Sequence, residues 1–141
     1  MTDPDHDAFL HRVQALTGAS RAADAERMVR AVLSVLLEEL PAGERLGLLS
    51  ELPRTLRALP APGVVRTSDT LRAFYERVAS REGVSLGSAV EHAQSVCRAL
   101  AESLSHEARH KLVSRLPDAL GTLLTLPESA PPLPVSVDER E

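Results

Sequence analysis

The 141-residue chain has no tryptophan, and its aromatic side chains amount to two phenylalanines and one tyrosine. Large rings therefore do not organise the interior, which has to close through aliphatic side chains on neighbouring elements. The single cysteine, Cys97, excludes an internal disulfide and fits a reducing compartment. No alternating run of β-branched residues is present, so no strand is expected. No apolar run approaches the roughly 20 residues that span a bilayer. The opening MTDPDHDAF is acidic and lacks an apolar core, so no signal peptide is expected either. Positive charge is not in excess: 16 Lys and Arg stand against 20 Asp and Glu, a formal net charge of −4. With the arginines scattered and few rings to stack on bases, nucleic acid is not an expected partner. These absences together point to a cytoplasmic protein that neither spans a membrane nor binds nucleic acid.

What remains is a chain that is 43% hydrophobic, mostly Leu, Val and Ala, with abundant Arg and Glu. That composition favours helix. The pattern is written twice. Phe9-x-x-Arg12-Val13 returns as Phe74-x-x-Arg77-Val78, and Gly18-x-Ser20 returns as Gly83-x-Ser85. With one residue dropped, Val32, Leu36, Glu38 and Leu40 match Val96, Leu100, Glu102 and Leu104. Arg45, Leu48, Ser50, Leu52 and Pro53 then match Arg109, Leu112, Ser114, Leu116 and Pro117, and Leu56 and Leu59 match Leu120 and Leu123. Most shared positions are apolar at helical spacing, so the repetition preserves a core.

Each copy reads as about four helices. In the first, Asp5 or Asp7 starts a helix that runs to about Thr17, where Gly18 ends it. A long helix follows Ser20, with Ala25, Met28, Val29, Val32, Leu36 and Leu40 on one face. Pro41 and Gly43 break it before a shorter helix that carries Leu46, Leu48, Leu49 and Leu52. Pro53 then begins a final turn or two, since its fixed φ suits a first helical turn. The second copy repeats this as Leu71 to Glu82, about Gly87 to Leu104, His106 to Leu116, and a last helix opened by Pro117. Ser68 or Asp69 is placed to cap its first helix. The expected architecture is a compact all-α bundle of two similar units, residues 1–59 and 71–126, joined by a linker over 60–70 and followed by a Pro-rich flexible tail over 127–141.

The two-unit pattern resembles a bacterial family known as domain of unknown function 2267. The resemblance rests on Phe9 to Val13 with Leu52-Pro53, on Phe74 to Val78 with Leu116-Pro117, and on the Gly turn and long aliphatic helix between them. It covers about residues 8–126. It implies an all-helical fold built from a duplicated unit, and it implies no activity.

One motif carries a chemical suggestion. His106-Glu107-Ala108-Arg109-His110 is H-E-x-x-H, in which two His one turn apart hold zinc and the Glu acts on the metal-bound water. Several features oppose that reading. His106, Glu107 and His110 match Ala42, Gly43 and Leu46, so the same helix exists in a copy without ligands. The segment sits at a helix start capped by Ser105, a poor place to hold a metal rigidly. Val113 and Leu116 occupy the places where the longer form of the motif needs Gly and His, and Glu128 lies in the tail. His92 matches Met28 and is expected as a partly buried, hydrogen-bonded side chain, and Cys97 matches Leu33 as a small core residue. No catalytic, cofactor-binding or metal-binding residue is therefore assigned. The expected role is a non-enzymatic interaction or adaptor module with a protein partner or self-association. A zinc-dependent hydrolase using His106, Glu107 and His110 is the alternative, and an apolar ligand held between the units is a further one.

Overall fold

Glycine and short polar residues divide the chain where the helices stop. The computed structural model describes residues 4–52 and 68–125. Helix α1 (Pro4–Thr17) ends at Gly18, and α4 (Leu71–Glu82) ends at Gly83. These two glycines take φ of 79° and 78°, the left-handed region that side chains disfavour. Each N–H donates back to a carbonyl four residues earlier, Gln14 and Ala79, at 2.8 Å. The long helices α2 (Ala22–Glu38) and α5 (Leu86–Ser103) follow. Next come α3 (Ala42–Glu51) and α6 (His106–Arg115). Pro41 before α3 and Ser105 before α6 share φ −61° and ψ 158°, and Leu52 and Leu116 close these helices with nearly equal extended dihedrals. A short α7 (Asp118–Gly121) and a 3-10 turn (Thr122–Leu124) complete the described residues, among which there is no strand.

The long helices α2 and α5 lie against each other at the centre of a compact helical bundle. Helix α1 packs on both, and so does α4. Helices α3 and α6 pack together, and the 3-10 turn closes under α5. The core is aliphatic, as the shortage of rings requires. Val29, Val32, Leu33, Leu36 and Leu40 meet Ala93, Val96, Cys97 and Leu100, and Phe9, Val13, Phe74 and Val78 come in from the flanking helices. Leu36 and Leu100 are almost fully buried, each worth about 1.5–3 kcal/mol relative to exposure. In both F-x-x-R-V segments Phe and Val face this core. The Arg one residue before Val lies at its margin and reaches across to a carboxylate on another helix.

The long helix follows Ser20 as expected, beginning after Arg21, which gives no side-chain cap. Local punctuation departs from the sequence reading at two places. Thr70, rather than Ser68 or Asp69, caps α4 by accepting from the Ala73 N–H at 3.1 Å. Ser68 is engaged instead by Glu39 from 29 residues earlier. Pro117 stands at the N-cap of α7 with ψ 145°, one residue before the helix begins. Of the leucines carried by α3, Leu46 is 71% exposed, because the arc that contacts the core runs through Leu48 and Leu52. Pro53, most of the linker and the Pro-rich tail lie outside the described residues.

Candidate functional site

Three polar constellations stand out on this scaffold, and two of them hold it together. At the end of α2, the Glu39 carboxylate is fully buried. It accepts from the Ser68 N–H at 2.9 Å, from the Ser68 hydroxyl at 2.6 Å and from Arg77 Nη1 at 2.6 Å. The other end of the Arg77 guanidinium donates to Glu38, whose second oxygen accepts from Arg81 at 2.6 Å. Burial alone pushes the Glu38 carboxyl up, but the hydrogen bonds and charges of Arg81 and Arg77 prevail and hold it below its ordinary value. This cluster ties the segment entering α4 to the end of α2, a role that explains all three of its carboxylate and hydroxyl partners.

The second constellation links the remaining pair of helices. Arg12 on α1 donates to both oxygens of Glu102 on α5, at 2.6 and 2.8 Å, and Arg98 joins from one turn earlier at 3.2 Å. The Arg12 hydrogen bond outweighs burial and holds the Glu102 carboxyl below its ordinary value, with Arg98 acting in the same direction. Arg12 and Arg77 are the matched arginines of the repeated motif, and Glu38 and Glu102 are matched glutamates. Each arginine therefore bonds the glutamate of the other half of the chain. Both partners were visible in the repeat, but their coupling was not read from it. The signal was a charged pair retained among positions most of which are apolar.

The third constellation is open to solvent. Helices α3 and α6 form the walls of a groove of about 580 Å³. Leu48, Leu112 and Leu104 supply its apolar part. Gly43 and Gly47 leave the α3 wall low, and a Cβ at either would meet nothing within 4 Å. The walls differ in charge. Glu44 and Glu51 line the α3 side, whereas Lys111 and Arg115 line the α6 side together with His110 and Glu107. Arg45 does not add positive charge to the first wall, because its Nε turns inward to the Leu37 and Leu40 carbonyls at 2.9 and 2.7 Å. One ion pair spans the walls, Arg115 to Glu44 at 3.6 Å. Leu46, one turn from Gly43 and Ser50 on the same helix, is exposed but lies outside the groove lining.

The groove includes part of the H-E-x-x-H segment. His106 and His110 are exposed, Ser105 caps the helix by accepting from the Ala108 N–H at 3.1 Å, and Arg109 Nη2 lies 3.3 Å from His106 Nδ1. Among the described residues no three His, Cys, Asp or Glu side chains come together in a way that could hold a metal ion. His92 is elsewhere, with Nδ1 2.9 Å from Glu82. Cys97 is fully buried, and burial pushes its thiol up to about 12. No helix among the described residues is long and apolar enough to cross a membrane.

An all-helical bundle with paired F-x-x-R-V segments and an interhelical groove is the class these observations define. The chain belongs to the family described as Uncharacterized conserved protein (DUF2267), whose model matches residues 6–123. A search of curated proteins finds no match.

Proposed function

We propose that the protein is a non-enzymatic docking module, working in the cytoplasm through the groove between α3 and α6, and built from two copies of one helical unit. The observation that carries the reading is the groove itself: an apolar floor, acidic side chains on one wall and mixed, mainly basic ones on the other. That combination suits a helical protein surface, which offers apolar anchors flanked by charges at helical spacing. A small apolar ligand would gain less, since charged side chains rim the leucines. The duplication is supported by the matched left-handed glycines, the matched breaks before α3 and α6, and the reciprocal Arg–Glu pairs.

Gly47→Trp tests the reading, because a Cβ there meets nothing within 4 Å and the ring it carries would occupy the groove. The variant keeps its helical spectrum and melting temperature but loses the protein that wild type retains in quantitative crosslinking. Identical capture by wild type and variant would move the docking surface elsewhere. On the same reading, His106-Glu107-x-x-His110 is helix chemistry, not a zinc hydrolase. Protein dialysed after mild chelation then keeps no stoichiometric zinc, and Glu107→Gln changes no activity. One retained zinc per chain, lost in His106→Ala or His110→Ala, would promote the hydrolase.

A further inference from the structure

We draw no further inference here: the strongest candidate, the solvent-open groove between α3 and α6, belongs to the site already described, and with Glu107 beside Lys111 and Arg115 on one wall nothing in the structure shows what covers it.

Discussion

Removing the Glu39 carboxylate is the most direct way to ask what holds the two halves of this bundle together. Glu39→Ala deletes an acceptor that serves three donors, two of them on Ser68, which is itself only 2% exposed. A buried donor left without its acceptor costs about 1–3 kcal/mol. The Arg77 guanidinium keeps Glu38, so its charge is not stranded and the largest penalty of a broken buried pair is avoided. The two Ser68 donors and the partly released Arg77 together place the expected loss at about 3–5 kcal/mol. Urea unfolding followed by far-ultraviolet circular dichroism measures it. With a slope of roughly 1–2 kcal/mol per molar for a protein of this size, the midpoint falls by about 1.5–5 M. Ser68→Ala, which keeps the backbone donor, shifts it less. A Glu39→Ala loss under about 1 kcal/mol, the range of an ordinary surface change, would mean that the cluster decorates the fold and does not tie it.

Four further outcomes follow from geometry already described. Leu36→Ala and Leu100→Ala each lower the unfolding free energy by about 2–5 kcal/mol, and a small effect at one but not the other would break their equivalence. Gly83→Ala costs about 1–2 kcal/mol through the left-handed φ alone, since the space around it is open, and an unchanged melting temperature would contradict that. Glu102 is held below its ordinary value when folded, so its contribution is present above about pH 4.3 and is lost as pH falls through the lower folded value. The stability gap between wild type and Glu102→Gln, read by urea titration at a series of pH values, therefore closes on acidification; a constant gap would refute it. Cys97, with its thiol pushed up to about 12 and no exposure, does not react with a thiol reagent at pH 8 until denaturant is added, whereas rapid labelling of native protein would place it nearer the surface.

Helix positions were legible because periodicity and punctuation are local. Gly18 and Gly83 announce their turns, Ser85 and Ser105 cap the helices they precede, and the apolar stripes of the long helices predict their buried faces. Legibility fails where a distant residue competes for a local role. Ser68 was a fair cap for α4, but the helix starts at Leu71, so Thr70 caps it, and Ser68 instead donates its N–H and hydroxyl to Glu39, 29 positions away. Leu46 belongs to an apolar string, yet which of its neighbours turn inward depends on where α6 lies, a fact no short window contains. The groove was out of reach for the same reason: its walls come from helices about 60 residues apart in sequence, and its charge asymmetry exists only once they are side by side. The H-E-x-x-H letters show the converse, a local pattern whose meaning depends on a third ligand that only tertiary structure can supply.

The crossed Arg–Glu pairs have a consequence for the growing chain. Arg12 precedes Glu102 by 90 residues, and α1 cannot reach its seat on α5 until α5 has been made. At about 5–20 residues per second, roughly 5–20 s of synthesis separate the two. During that interval α1 and α2 are complete in sequence but lack the surface that covers their Val and Leu faces. The first half therefore emerges as a waiting intermediate, exposed to chaperones and to aggregation, and final closure comes late and all at once. A nascent chain arrested before α5 should stay protease-sensitive even within α2, and should become resistant across both halves together once α5 has cleared the ribosome.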